Sequence, residues 1–138
     1  MIMRYIFLLV MFFSACKSSP DNPCEVLSFD ETDYSLVKSL KDDLGNKYSE
    51  LYVNKKNPDL ELKKFYWENG KQQSIVFLSR GEKTGPSMLF DSTGVLTYEG
   101  FYFQDKEMGV VVQYDSYRKK AIIKTYKEGD LLNQQELK

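Results

Sequence analysis

The chain is 138 residues long, with 19 basic residues, 20 acidic residues and no histidine. That length suits one small domain, which buries roughly two-thirds of the surface its unfolded chain exposes. The charge balance argues against the concentrated basic face that nucleic acid demands. Without histidine there is no commonest general base, no Ser-His triad and little prospect of a zinc site.

The N-terminus places Arg4 ahead of an apolar run over residues 6–13 and ends on Phe13-Ser14-Ala15-Cys16. A positive start, a short apolar stretch and a small-residue cleavage site make a secretory signal, too short to cross a bilayer as a mature helix. With Cys16 directly after Ala15, the segment resembles a bacterial lipoprotein signal, departing from that pattern at Phe13, where Leu, Val or Ile is usual. The resemblance implies a signal peptide over 1–15, lipid on Cys16, and attachment to a membrane through that lipid. In such proteins an Asp directly after the cysteine retains them at the inner membrane. Lys17 stands there instead, which leans towards the outer membrane where a cell has two. Residues 16–24 then form the lipidated cysteine and a polar, proline-containing tether. Cys24 reads as a small buried apolar residue; if Cys16 were unmodified, a Cys16–Cys24 disulfide would be open to it in an oxidising compartment.

The segment 25–47 carries the best helix signal in the chain. Thr32 or Asp33 can cap it, Leu36, Val37, Leu40 and Leu44 recur at helical spacing, and Gly45 supplies a stop. The spacing predicts a helix over about 33–44 with its apolar stripe packed on a sheet. From residue 48 to 138 the texture changes to short β-rich runs, at 47–53, 61–67, 72–78, 87–90, 96–103, 110–114 and 120–126. Tight polar connections separate them, Asn69-Gly70 being the strongest hairpin signal because both residues tolerate positive φ. Short connections join antiparallel neighbours, so the predicted architecture is a mainly β antiparallel meander.

The meander repeats itself. Leu78, Tyr102 and Tyr126 are 24 residues apart, as are Gly85 and Gly109, and Gly70 and Gly94. Tyr66-Trp67-Glu68-Asn69-Gly70-Lys71 aligns with Leu89-Phe90-Asp91-Ser92-Thr93-Gly94-Val95 and with Gln113-Tyr114-Asp115-Ser116-Tyr117-Arg118-Lys119. Tyr98-Glu99-Gly100-Phe101-Tyr102, followed by Gln104-Asp105-Lys106-Glu107-Met108-Gly109, resembles a MORN repeat. Phe65-Tyr66-Trp67-Glu68-Asn69-Gly70-Lys71 is similar to the bacterial MORN-like variant labelled YwqK-type antitoxin. The third unit departs from the pattern, with Tyr117-Arg118 replacing the turn glycine and Lys124 standing where Gly100 does. The resemblance covers about residues 65–130 and implies a single-layer sheet of repeated hairpins, with an antitoxin or immunity role within its reach.

Strand alternation puts Leu96, Tyr98, Gly100 and Tyr102 on one face, with room over the glycine for a neighbouring ring. Stacked hairpins then suggest aromatic ladders built from Tyr66, Trp67, Phe90, Tyr98, Tyr102, Tyr114 and Tyr126. These rings serve first to hold the sheet together, and second as a binding face for sugar, peptide or lipid. Glu68, Asp91 and Asp115 occupy equivalent turns, which makes them features of the repeat before catalysts. No calcium loop or phosphate loop is present in the sequence pattern. The expectation is a non-catalytic, cofactor-free, lipid-anchored envelope protein that binds a protein partner. A ligand or lipid carrier with a curled greasy interior is the alternative, and an envelope enzyme with converging carboxylates comes third.

Overall fold

The computed structural model describes residues 27–115 and 120–137. The leader, Cys16, the tether and Cys24 lie outside the described residues. A 3₁₀ turn, Glu31–Asp33, leads into nine strands: β1 Tyr34–Lys41, β2 Lys47–Asn54, β3 Leu60–Tyr66, β4 Gln72–Ser79, β5 Glu82–Phe90, β6 Leu96–Phe103, β7 Lys106–Asp115, β8 Lys120–Lys127 and β9 Asp130–Leu137. They form one open antiparallel sheet in the order β1 to β9, the meander that the short connections predict.

The two ends of the sheet are turned by different chemistry. At one end, Asp42, Trp67 and Asp91 each donate a backbone N–H to the carbonyl four residues on, and Gly45, Gly70 and Gly94 donate back to them. All three glycines have positive φ. The carboxylates of Asp42 and Asp91 also accept backbone N–H groups inside their own turns. At the other end, two-residue turns at Arg80-Gly81, Gln104-Asp105 and Glu128-Gly129 have positive φ at both positions, as the favoured hairpin turns require. The 24-residue spacing is therefore one hairpin, counted turn to turn.

The helix expected over 33–44 is not formed. The 3₁₀ turn ends at Asp33, where the helix would begin, and is capped by Asp30, whose carboxylate accepts from Thr32 N–H at 2.9 Å. Its middle is β1, paired along its length with β2. Gly45, read as a helix stop, is the positive-φ residue of the first hairpin turn. The supposed apolar stripe is largely solvent-facing, with Val37 63% and Leu44 87% exposed. Strand pairing overrides a weak local preference here, as tertiary context commonly does. Tyr34 anchors the strand: it is buried, and its hydroxyl donates to Ser28 O at 2.6 Å.

Residues 27–33 cross one face of the sheet as a strap. Under and beside it lies the core of Tyr34, Leu60, Leu62, Ile75 and Phe77, with Leu27, Phe29, Tyr52, Met88 and Phe90 packed against it. The register Leu62↔Phe77 and Ile75↔Met88 places these side chains on the same side. Phe29 meets Phe77 of β4 and Phe101 of β6 edge-on, at centroid distances of 5.5 and 5.6 Å. Between those strands lies Gly85 of β5, where a Cβ would fall on the Phe29 ring. The expected run 87–90 lengthens into β5 because Gly85, at φ +109, bends the strand and lets Pro86 sit beside the irregularity.

Gly85→Ala is expected to cost about 2–4 kcal/mol, combining overpacking with a left-handed backbone. Adding Phe29→Ala should make that same change cheaper, because the ring it strikes is gone. Urea unfolding of the full chain, followed by Trp67 fluorescence, measures both. A Gly85→Ala chain as stable as the native one would remove the ring-over-glycine contact from the account.

Candidate functional site

The residues singled out by the repeat divide between the turn end and the two faces. Tyr66, Phe90 and Tyr114 occupy equivalent places near the ends of β3, β5 and β7. Trp67 opens its turn, and its indole Nε1 donates to Phe90 O at 3.1 Å. Asn69 Nδ2 and Lys71 Nζ reach the carbonyls of Ser92 and Thr93 in the next turn, each at 2.7 Å. The turn containing Gly70 is thus sewn to the one containing Gly94. At the opposite end, Asp105 N bonds Lys83 O, and Gly129 N bonds Glu107 O, one period later and at the same 3.0 Å.

The expected aromatic ladders do not form. Among the described residues the paired rings are Phe29–Phe77, Phe29–Phe101 and Tyr34–Phe77, none of them drawn from the seven expected positions. The reason is geometric. Equivalent residues recur on alternate strands, about 9–10 Å apart at the usual spacing, beyond direct ring contact. Phe77 and Phe101, themselves one period apart, touch only through Phe29.

Most of the tyrosines are instead gathered around carboxylates. On the face crossed by the strap, Glu50 of β2 accepts from Tyr52 at 2.8 Å, from Tyr66 at 2.5 Å and from Lys47 Nζ at 2.9 Å. Lys47 also stands 4.0 Å over the Tyr66 ring, and Lys64, paired with Glu31, lies 5.3 Å over Tyr52. Burial pushes the Glu50 carboxyl up, but the hydrogen bonds from Tyr66, Lys47 and Tyr52 outweigh it and hold it below its ordinary range. Desolvation, reinforced by Glu50, raises Tyr52 to about 12 and drives Tyr66 higher still.

On the opposite face Tyr98, Tyr102 and Glu107 form a second group. Tyr98 donates to Glu107 at 2.9 Å, the two phenols are 2.9 Å apart, and Tyr102 also reaches Glu107. Tyr126, on β8, lies on the same side, and desolvation, with the Glu107 carboxylate nearby, raises its phenol. Lys83 lies 5.1 Å over the Tyr102 ring. The Tyr98 phenol rests over Gly100, where a Cβ would come within 2.7 Å of Tyr98 Oη and 3.0 Å of Val111 Cγ2. This cover leaves Val111 fully buried on a sheet with no second layer. Back on the strap's face, where Glu99 pairs with Met88 of the core, Tyr114 donates to Glu99 at 2.6 Å, and desolvation raises it to about 12.

These phenols keep their protons far above neutrality and commit them to carboxylates, so they act as donors and flat apolar surface. Glu50, Glu107 and Phe29 escaped the sequence reading. The 24-residue recurrence of Gly85 and Gly109 reports a shared positive φ, and only at Gly85 does a ring cover the backbone. Among the described residues no group of three His, Cys, Asp or Glu is placed to hold a metal ion. A shallow depression of about 260 Å³ lies beside the start of the strap, lined by Leu27, Ser79, Thr84, Phe103 and Gln104 among others. No family model and no curated protein matches the chain.

Three outcomes are expected. Gly100→Val should destabilise the domain by about 1–3 kcal/mol, since Tyr98 and Val111 must both give way; an unchanged denaturant midpoint would remove the ring-over-backbone role. A phenol raised above its unfolded value of about 10 keeps its proton when the unfolded chain has lost it. Stability is therefore full below about pH 10 and declines as pH rises towards 12. Glu50→Gln should bring Tyr52 and Tyr66 part of the way down, read by phenolate absorbance during alkaline titration. Unshifted late-titrating phenols in that variant would show that Glu50 does not hold them.

Proposed function

We propose that this chain is a lipid-anchored protein of the bacterial envelope whose MORN-like repeat sheet binds a protein partner by contact and carries out no reaction of its own. The observation that carries this reading is the open sheet of 24-residue hairpins, rigidly sewn at both ends and broad for its mass. Such a surface suits recognition: tyrosines in fixed positions offer flat, amphipathic area at low entropic cost. Within this class, resemblance to the YwqK-type variant suggests an antitoxin-like or immunity-like role, in which the bound partner is a protein held out of action. The carrier alternative calls for a closed greasy interior, whereas β1 and β9 stand at opposite edges of an open sheet. That difference is why binding by contact is preferred.

The anchor is proposed from Cys16 and the leader preceding it, with the outer membrane as the address favoured by Lys17. Among the described residues no helix is long and apolar enough to cross a membrane. Cys16→Ala should abolish incorporation of labelled fatty acid and move the protein from the membrane fraction to the soluble one. Unchanged membrane partitioning would defeat the anchor. For the partner, crosslinking in native membranes should recover a protein at one-to-one yield, and recovery should fall when Tyr114 and Lys83 are replaced by Ala; equal recovery from that variant would place the contact elsewhere.

A further inference from the structure

The strap covers only part of its face, and the repeat builds the seat of its ring a second time. Phe29 stands over Gly85 of β5, between Phe77 of β4 and Phe101 of β6. The pairing of β4 with β5 slips between Val76 and Leu78, and Gly85, at positive φ, lies in the slipped stretch. One period later the pairing of β6 with β7 slips between Glu99 and Phe101, and Gly109, also at positive φ, lies in that stretch. The registers agree residue by residue. Ile75↔Met88 recurs as Glu99↔Val112, Leu78↔Lys83 as Tyr102↔Glu107, and Gly85↔Tyr102 as Gly109↔Tyr126. The two seats differ in what lies over them. Gly85 is buried under the ring, whereas Gly109 is exposed and a Cβ there would meet no atom within 4 Å. Phe101 takes beside Gly109 the place that Phe77 takes beside Gly85, and Thr125 takes the place of Phe101. Around this bare seat Val110 is 53% exposed, and Val112 and Ile123 continue the apolar surface towards Tyr114.

We propose that the seat over Gly109 is a docking socket for an aromatic side chain carried on an extended segment of the protein partner. The strap itself selects this occupant. On the same scaffold, one period earlier, it lays a non-repeat segment across the face and sets a phenyl ring edge-on between two strands, over the equivalent glycine. Phe101 can repeat towards β8 the edge-on contact that it gives Phe29, a pairing worth more than the area it buries. An aliphatic side chain gains no such pair, and a charged one would lose its water against Phe101 and Val110. Thr125, smaller than a phenyl ring, leaves the socket open towards β9, on the side that the strap does not occupy. Val110, Val112 and Tyr114 alternate along β7, so the socket is continuous with the Tyr114 surface assigned to the partner above. That the occupant belongs to a protein rests on that reading; the socket rests on the repeat.

The probe is the strap's own tetrapeptide, acetyl-Leu-Ser-Phe-Asp-amide, added to the full chain in lipid nanodiscs while NMR follows the methyl groups of Met108 and Val110. Both residues should shift saturably with probe, and the same peptide with Ala in place of Phe should leave them unmoved. Thr125→Phe restores the second aromatic wall and should tighten binding by roughly 2–10-fold. Val110→Asp should weaken it, with the far-ultraviolet circular dichroism spectrum of both variants unchanged. The probe reads the socket with no partner present, so its failure would refute the socket and leave the crosslinking test of the partner standing. The proposal is overturned by a native chain without saturable shifts, by an Ala peptide that shifts the methyls equally, or by a folded Thr125→Phe chain that binds no more tightly. Methyl shifts that grow with chain concentration in the absence of probe would give the socket to the strap of a second copy, and would overturn the choice of occupant.

Discussion

A sheet one layer thick has no second sheet to pack against, and this chain meets that constraint by laying rings over glycines. Phe29 stands over Gly85 between Phe77 and Phe101, so one ring from outside the repeat covers three strands at once. On the other face Tyr98 rests over Gly100 and seals Val111. A glycine in a strand normally weakens it. Here the missing side chain is what lets aromatic surface approach the backbone closely enough to exclude water. The burial of Leu60, Leu62, Ile75 and Phe77 depends on the same strap.

The polar groups follow from that arrangement. A tyrosine laid flat against a sheet carries its hydroxyl to the rim of the buried patch, where it needs a partner. Glu50 and Glu107 supply acceptors that serve several phenols each, and Lys47 and Lys83 lie over the rings. No described buried side-chain nitrogen or oxygen is left without a hydrogen bond. Each carboxylate is thereby fixed in place, which suits a surface that must keep one shape while something binds to it. Sewing each hairpin turn to the next, through Asn69, Lys71, Asp105 and Gly129, adds rigidity along the length of the sheet.

Much of this was readable from local chemistry. Asn69-Gly70 and the recurrence of Gly70 and Gly94 report directly on backbone conformation, so the hairpins and their period could be seen in the chain. The segment 33–44 misled because Leu36, Leu40 and Leu44 fall at helical spacing. Asp42-Asp43-Leu44-Gly45 is nevertheless the same Asp-x-x-Gly turn as Asp91-Ser92-Thr93-Gly94, and the repeat was the better guide. β9 was missed since Leu131–Leu137 lacks β-branched and aromatic residues and takes its strand form from β8. Phe29 was invisible for a different reason. Its role depends on Phe77, Gly85 and Phe101, all far away in sequence and meeting only once the sheet exists. The ladders failed because a period of two strands separates like from like, a consequence of topology that no single repeat displays.

Hydrogen exchange on the full chain, compared between the native protein and Phe29→Ala, tests the strap most directly. If Phe29 holds the single layer together, the amides of β4, β5 and β6 should exchange much faster in the variant while those of β8 change little. Unaltered protection in β4–β6, or an acceleration in β8 as large as theirs, would contradict the account.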